Sequence, residues 1–386
     1  MSRPKQTTQK NNKKLVLAII LLVLIIVIGI GGYFVYTRYF AKNKTQTDPS
    51  HNHLDLIDPN DPNQNNQPVV NQNTYKKVGD LRILAWNVLN FGHKASLDSN
   101  KFINISKTIK LSNADVVGLV EINYNDQQIV ENLTNSLGSS WSYTFSGENY
   151  NSKFPNSKES VAILYKKDIV EPLQTGSINP NNIYTRPLWY TKFKTKQDNY
   201  EFISMFGHFD APGANKNNDE TKGPNNQGSQ EILEAKTVST IFKELKEKYP
   251  ETDIVGYADT NIKEENNNLF DSSEYQLNYI DFNDNKEKYK TSLGTKNNYS
   301  NTYDKWFVYD AKNSNILRKS EIPYKIDIIN AFRDKIWDRE QSLNGWKASH
   351  PNATKLPTDF QIIRNVSDHA PIILDINYKT QNTVDN

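Results

Sequence analysis

The 386-residue sequence contains no cysteine. This absence excludes disulfide bonds, zinc–thiolate sites and cysteine nucleophiles, although it does not argue against an extracellular location. Any metal site must therefore use oxygen or histidine ligands. The chain also lacks a large net charge: the formal charge is +2, and its apolar and charged fractions are typical of a globular protein with a sizeable core.

The small net charge conceals an uneven distribution. The first fourteen residues carry five basic residues and no acidic residue, so the rest of the chain has a formal charge of −3. The part that would carry out chemistry is therefore not strongly basic. Its affinity for phosphate would have to come from local patches or from a bound cation.

An uncharged apolar segment follows the basic N-terminal residues. Residues 15–36 number 22, and at a helical rise of about 1.5 Å per residue they would cross a bilayer core of about 30 Å. We predict a basic cytoplasmic tail at residues 1–14 and a single transmembrane helix at residues 15–37. A cleaved signal peptide is the alternative, but the glycine and aromatic residues that end the segment do not resemble a cleavage site. The excess of basic residues before the helix predicts a cytoplasmic N-terminus at the cell membrane and an extracellular catalytic domain.

Composition sets the remaining boundaries. Residues 38–77 are rich in Asn, Gln, Asp and Pro and predict a flexible polar linker, residues 78–378 a folded domain, and residues 379–386 a polar tail. Within the domain, apolar runs that suit strands alternate with segments of helical spacing. The predicted strands are 81–86, 115–120, 161–165, 202–206, 253–257 and 371–376, and the predicted helices are 98–111, 126–137 and 230–248. This mixture indicates a layered α/β sandwich.

Polar side chains lie just beyond or just before several of these strands. They are Asn87, Glu121, His208, Asp259 and Asn261, with Ser367, Asp368 and His369 immediately before the last strand. Each of them alone would more often be a cap, a turn residue or a solvated side chain. Their repeated position at strand ends, where loops over a rigid sheet commonly build active sites, points to one shared site.

Seven segments occur in an order and spacing that resemble the DNase I-like endonuclease/exonuclease/phosphatase superfamily. They are ILAWNVLNFG, DVVGLVEIN, KESVAILYK, FGHFDAPG, GYADTN, YDKWFV and SDHAPIILDI. The resemblance covers about residues 80–377 and implies a four-layer α/β/β/α sandwich (DNase I-like) behind the N-terminal transmembrane helix. The apolar segment, the linker and the Asn- and Lys-rich composition also resemble the membrane nucleases of mycoplasmas.

The resemblance implies a metal site. Glu121 would be the principal ligand, assisted by Asn87 and by Asp368. The implied ion is Mg²⁺, with Mn²⁺ or Ca²⁺ able to substitute or assist, because hard cations prefer oxygen ligands and can neutralise phosphate charge.

The resemblance also implies two catalytic histidines, His208 and His369. Glu159 would orient His208, and Asp304 would orient His369, because an imidazole acts effectively only when its tautomer and direction are fixed. A neighbouring carboxylate raises the pKa of an imidazole. Asp259 and His369 are the candidate general bases, and His208 is the candidate acid.

Two further residues have roles implied by the resemblance. Asp259 and Asn261 match a G-D-x-N element in which the amide donates to a phosphate oxygen, although Ala258 here replaces the glycine and could alter the local backbone. Arg186 resembles an arginine that contacts DNA phosphate. A surface arginine without that role is the alternative.

These observations predict a membrane-anchored, metal-dependent nuclease that hydrolyses DNA, with RNA as a second substrate, outside the cell for nucleotide scavenging. No protein partner is implied. A phosphatase acting on inositol phosphates or a sphingomyelinase would share the same core residues. A catalytically inactive surface-binding protein is the remaining alternative, since a fold alone does not establish activity.

Overall fold

The computed structural model describes residues 75–93, 95, 97–213, 220–277, 286–311 and 323–379. The predicted cytoplasmic tail and transmembrane helix lie outside the described residues, as do most of the linker and the end of the chain. None of the helices in the described ranges is both long and apolar enough to cross a bilayer. All described residues belong to one unit, Gln67–Asn386. The domain boundaries at 78 and 378 stay a prediction.

The described residues form eleven strands in two mixed sheets. The strands are β1 Leu81–Phe91, β2 Val116–Asn123, β3 Trp141–Phe145, β4 Glu159–Lys166, β5 Val170–Ile178, β6 Leu188–Thr195, β7 Glu201–His208, β8 Asp253–Asp259, β9 Gln276–Leu277, β10 Asp304–Tyr309 and β11 Ile372–Ile376. One sheet has the order β11-β1-β2-β4-β3, and the other has the order β5-β6-β7-β8-β10-β9. The pairs β1/β2 and β7/β8 are parallel, and the other neighbouring pairs are antiparallel.

Five α-helices lie in the described ranges. They are α1 Asn100–Ser112, α2 Gln127–Leu137, α3 Ser229–Lys248, α4 Arg339–Ser349 and α5 Asp359–Val366. Side-chain caps fix the first residues of α1 and α5, because the hydroxyls of Ser99 and Thr358 accept hydrogen bonds from backbone N–H groups in the first turn. Helix α1 ends where Asn113 adopts a left-handed conformation with φ of 54°.

The side chains of β1 show how the layers are arranged. Leu84 and Trp86 belong to a core shared with α1 and α2, whereas Ile83 and Ala85 belong to the core between the two sheets. This alternation is the two-residue period of a strand buried on both faces. A third core joins the outer face of the other sheet to α3. The order helices–sheet–sheet–helix confirms the predicted α/β class and the sandwich of the described domain.

The two sheets approach closely at Gly118 on β2. A Cβ atom added there would lie 1.9 Å from the Cδ1 of Phe206 on β7. Any larger residue would therefore force the aromatic ring or the strand to move, so this glycine sets the spacing between the sheets.

All six predicted strands and all three predicted helices occur, but several strands extend further than the sequence indicated. Asn87 and Glu121 lie inside β1 and β2, and His208 and Asp259 are the last residues of β7 and β8. The prediction that these residues follow the strands is thus wrong in detail. The apolar runs end at polar residues, but the backbone pairing of the strands continues beyond the apolar runs. Apolar spacing in the sequence did not predict β3, β5, β6, β9, β10, α4 or α5. Much of β5 is exposed, so its sequence lacks a clear alternation of apolar and polar residues, which is the pattern from which a strand is predicted.

Candidate active site

The six-stranded sheet places three candidate residues side by side. Asp259 at the end of β8 pairs in register with His208 at the end of parallel β7. On its other side, Asp259 is in register with Asp304, the first residue of antiparallel β10. Ordinary strand pairing therefore brings together residues that are far apart in sequence.

The five-stranded sheet contributes its residues through irregular backbone. The pairing of β1 with β2 shifts between Asn87 and Phe91, and the pairing of β2 with β4 shifts between Leu119 and Ile122. Glu121 lies within the second shift with φ of 59°. A left-handed conformation is unfavourable for a residue with a Cβ, and bulges of this kind redirect side chains beside active sites. The bulge turns Glu121 toward the end of the sheet, where its carboxylate accepts from the Asn90 N–H at 3.2 Å.

Asn87 links the carboxylates of the two sheets. Its Nδ2 donates to Glu121 Oε1 and to Asp259 Oδ2, each at 2.8 Å, while its Oδ1 accepts from the Leu89 N–H. In this arrangement Asn87 fixes the separation of the two acids and does not direct its oxygen at the space between them. Asn87 as a metal ligand stays a prediction.

Glu121, Asp259 and His208 form a group whose ligand atoms all lie within 4.8 Å of one another. Asp259 is 1% exposed, and its ion-pair partners among the described residues are the imidazoles of His208 and His369. A buried carboxylate beside a second acid requires positive charge nearby. Oxygen donors of this kind fit a hard divalent cation such as Mg²⁺.

His208 is held by a carboxylate that also holds an arginine. Its Nδ1 lies 2.7 Å from Glu159 Oε2, and the other oxygen of Glu159 forms an ion pair of 2.9 Å with Arg186 Nε. Burial lowers the pKa of His208, but the charge of Glu159, its hydrogen bond to the imidazole and the charge of Asp259 together outweigh burial, so the pKa is raised above 6.5. Asn261 Nδ2 lies 3.3 Å from His208 Nε2.

His369 is held still more firmly. Its Nδ1 lies 2.7 Å from Asp304 Oδ2, and its Nε2 lies 3.5 Å from Asp259 Oδ2. The other Asp304 oxygen accepts from the Tyr257 hydroxyl at 2.5 Å. Burial lowers the pKa of His369, yet the charges of Asp259 and Asp304 overcome it and raise the pKa well above 6.5. The two carboxylates therefore favour the protonated form of this imidazole.

Eight of the ten predicted site residues line one pocket of about 420 Å³. They are Glu121, Glu159, Arg186, His208, Asp259, Asn261, Asp368 and His369. The other two, Asn87 and Asp304, are fully buried, and hydrogen bonds connect them to lining residues. Arg364 Nη2 lies 3.8 Å from Asp368 Oδ2, and Asp368 is not in the close donor group around Glu121. The metal role of Asp368 and the phosphate role of Arg186 stay predictions.

Comparison with known proteins agrees with this geometry. Residues 84–188 match the family model described as "Endonuclease/Exonuclease/phosphatase family". This match supports the resemblance that the seven motifs carry. Members of this superfamily are hydrolases that act on phosphoesters and typically use divalent metals.

A relative and two solved structures show how far the similarity extends. An uncharacterized protein of Mycoplasma pneumoniae is 31% identical over 192 residues, which cover 49% of this chain and 37% of that protein. The structure of D. rerio TDP2 complexed with single strand DNA product covers 77% of this chain and 98% of its own, with a TM-score of 0.50 and 15% identity. A mannosyl-6-phosphatase of Bacteroides thetaiotaomicron covers 77% and 100%, with a TM-score of 0.48 and 15% identity. At such identity, likeness to a solved structure shows the fold alone.

Two lysines support the backbone of the site, and the sequence analysis had not singled them out as site residues. Lys101 Nζ donates to the carbonyls of Val88 and Leu89 in the β1 bulge, and burial lowers its pKa to about 8. Lys305, whose pKa burial lowers to about 7, donates to the carbonyl of Ile262, next to Asn261. Lys305 lies in the YDKWFV motif at a buried strand position, and a lysine within an otherwise apolar strand was a signal that the sequence offered. The sequence offered no such signal for Lys101, because its contact depends on the bulge in β1.

The two histidine–carboxylate pairs should titrate separately. Asp304→Asn should lower the pKa of His369 and leave that of His208 nearly unchanged, and Glu159→Gln should have the reverse effect. NMR titration of the imidazole Cε1–H resonances measures both values, and each variant is the control for the other. Protonation of His369 also stabilises the folded state. This contribution is fully present at pH values below the pKa of the imidazole in the unfolded chain, about 6.5, and it is lost as the pH rises through the higher pKa of the folded state. Equal shifts of both histidines in both variants would contradict separate pairs.

Proposed function

We propose that this domain is a metal-dependent nuclease that hydrolyses phosphodiester bonds of DNA, with RNA as a second substrate. The observation that carries the proposal is the arrangement of two carboxylate-supported imidazoles around Asp259, with Glu121 beside them. The D. rerio TDP2 structure, which contains a single strand DNA product, supports nucleic acid as the substrate class.

The charge of each site residue determines its proposed role in hydrolysis. His208 and His369 have raised pKa values, so their protonated forms stabilise the negative charge that develops on the phosphate. Asn261 lies beside His208 and donates through its amide to a phosphate oxygen. Both imidazole Nε2 atoms face the same oxygen of Asp259, at 3.8 and 3.5 Å. In this proposal the scissile phosphate binds in the pocket between the two rings.

Asp259 is the general base in this mechanism. It accepts a proton as the water oxygen attacks phosphorus, and the bond from phosphorus to the leaving oxygen breaks in line. His208 protonates the leaving oxygen. We assign the base to Asp259 and not to His369, because the carboxylates beside His369 raise its pKa and favour its protonated form. No covalent intermediate is required.

Glu121 would be the principal ligand of the divalent cation, with Asp368 as a further ligand in this proposal. Asn87 would join them by turning its amide oxygen away from the Leu89 N–H. When bound, the cation neutralises phosphate charge and templates the attack. Because the fit depends on carboxylate oxygens, Glu121→Gln keeps the shape of the side chain but removes the charge that attracts the ion.

Removal of either motif histidine should abolish most activity of the purified full chain. His208→Ala and His369→Ala should each reduce hydrolysis of plasmid DNA by about a hundred- to ten-thousandfold, because acid–base groups contribute that much. Rates are measured with magnesium and after chelation with EDTA. His350→Ala is the matched control, because His350 lies after α4 and stacks on Trp346 away from the pocket.

Parallel assays with RNA, inositol phosphates and sphingomyelin distinguish the alternatives. If the chain cleaves inositol phosphates or sphingomyelin but does not cleave nucleic acid, it would be a phosphatase or a sphingomyelinase and not a nuclease. No hydrolysis of any substrate by the wild-type chain would favour an inactive binding protein. Full activity of both histidine variants, or of wild type in EDTA, would contradict the mechanism.

We propose further that residues 15–37 anchor the chain in the cell membrane and that the domain acts outside the cell, where its products would serve nucleotide scavenging. The sequence features that support this are the uncharged segment 15–36, the five basic residues before it and the polar segment after it.

Protease added to intact cells should remove an epitope placed at the carboxyl terminus, because the proposed orientation exposes the domain. An epitope on a known cytoplasmic protein is the control for cell integrity. Complete protection of the C-terminal epitope, with another surface protein digested in the same sample, would show that the orientation is wrong.

A further inference from the structure

Helix α3 contains a buried acid that has no part in the proposed hydrolysis steps. Glu234 is 0% exposed, and burial raises its pKa. Acidic side chains are almost never fully buried unless they are paired, because removing them from water is costly. The hydrogen bonds of Glu234 indicate what this residue contributes to the fold.

The two carboxylate oxygens of Glu234 accept hydrogen bonds from two different segments of the chain. Oε1 accepts from the Thr185 N–H at 2.6 Å, in the segment between β5 and β6. Oε2 accepts from the Asp210 N–H at 2.7 Å, just after β7. Gln230, one turn earlier on α3, donates its Nε2 to Oε1 at 3.0 Å and to the carbonyl of Ile183 at 2.6 Å. Hydrogen bonds to a charged acceptor are stronger than neutral ones, so one side chain holds both segments against the helix.

The first segment carries Arg186, which directly follows Thr185. Arg186 Nε forms the ion pair of 2.9 Å with Glu159, and Glu159 Oε2 lies 2.7 Å from His208 Nδ1. A shift of the backbone at Thr185 would therefore move the arginine and disturb the carboxylate that orients the imidazole. Glu234 is thus connected to His208 through these two side chains.

The second segment leaves the catalytic imidazole at the end of β7. The Phe209 N–H donates to the carbonyl of Asp259 at 2.9 Å, and the Phe209 carbonyl accepts from Arg186 Nη1 at 2.7 Å. The next N–H along the chain belongs to Asp210 and donates to Glu234. Three consecutive backbone groups therefore have defined partners, and the last of these partners is the buried acid.

Only a carboxylate satisfies both N–H groups. A glutamine at position 234 would offer one acceptor oxygen and one NH2 group. In either orientation the NH2 group would face a backbone N–H donor, at Thr185 or at Asp210. The orientation that retains the donors of Thr185 and Gln230 leaves the buried Asp210 N–H unsatisfied, which is costly.

We propose that Glu234 is a positioning residue for phosphodiester hydrolysis, because it holds in place the two segments that carry Arg186 and His208. The inference rests on the proposed nuclease function. Glu234 is not among the residues that line the pocket, so it does not touch the substrate. Its effect comes through geometry, and a displacement of about 1 Å in a reacting group can lower a rate about a hundredfold.

The variant Glu234→Gln in the purified full chain tests this role. The rate at saturating DNA should fall about ten- to a hundredfold, because release of the Asp210 N–H displaces His208. The imidazole Cε1–H resonance of His208 should shift in the NMR spectrum, whereas that of His369 should not. In the double variant with His208→Ala, the rate should fall little below that of His208→Ala alone, because residues that act together are not additive.

The variant Asp115→Asn is the matched control. Asp115 is also a buried acid, at 1% exposed, and accepts from the Arg82 N–H at 3.0 Å. It immediately precedes β2, so it lies at the other end of that strand from Glu121. Asp115→Asn should lower the Tm because it weakens buried hydrogen bonds, while the rate and both histidine resonances should stay as in the wild type.

The variant Gln230→Ala decides the question if Glu234→Gln does not fold. Gln230 is half-buried, and its removal takes one donor from Glu234 without leaving a backbone N–H unsatisfied. The loss of this hydrogen bond should lower the rate about two- to tenfold and should shift the His208 resonance in the same direction.

A folded Glu234→Gln variant that hydrolyses DNA at the wild-type rate, or that leaves the His208 resonance unmoved, would overturn the inference. So would an equal loss of rate in Asp115→Asn, or unchanged values in Gln230→Ala where Glu234→Gln does not fold. The NMR readout requires no substrate. If the wild type hydrolyses no nucleic acid but Glu234→Gln shifts the His208 resonance alone, the nuclease proposal fails and the positioning of His208 by Glu234 stands.

Discussion

The buried carboxylate of Asp259 is the point at which both sheets and both imidazoles meet. Asn87 of the five-stranded sheet donates to it at 2.8 Å, and His208 and His369 lie 3.8 and 3.5 Å away. An isolated buried charge would cost several kcal/mol, so the surrounding donors are a condition of folding as well as of chemistry. The raised pKa of His369 is the reciprocal effect. The protonated form of His369 is therefore favoured by Asp259 together with Asp304.

Backbone strain near this carboxylate shows that the fold gives up some stability for the geometry of the site. Leu89, Glu121 and Asn261 all have φ between 49° and 59°, in the left-handed region. Such conformations persist only where surrounding structure determines them, and they concentrate at functional sites. Here the restraints are specific, because Lys101 holds the β1 bulge through two carbonyls and Lys305 holds the loop beside Asn261.

The sequence predicted the class of fold because strand alternation is a local signal. It predicted the residues that meet in the pocket partly from polar residues near strand ends and partly from the resemblance of the seven segments to a known superfamily. It did not predict the bulges, so Glu121 was expected after a strand and lies inside one. Nor did it predict that Arg186 would pair with Glu159. That contact depends on how two segments that are associated with different sheets pack against each other.

Hydrolysis by Asp259→Asn is the most direct test of this account. The amide keeps the size of the side chain but removes the charge that orders the imidazoles and accepts the proton from water. With saturating magnesium, and with folding verified by thermal unfolding, the rate of DNA hydrolysis in a single turnover should fall by at least about a hundredfold. A folded variant that hydrolyses DNA at the wild-type rate would contradict the central role of Asp259.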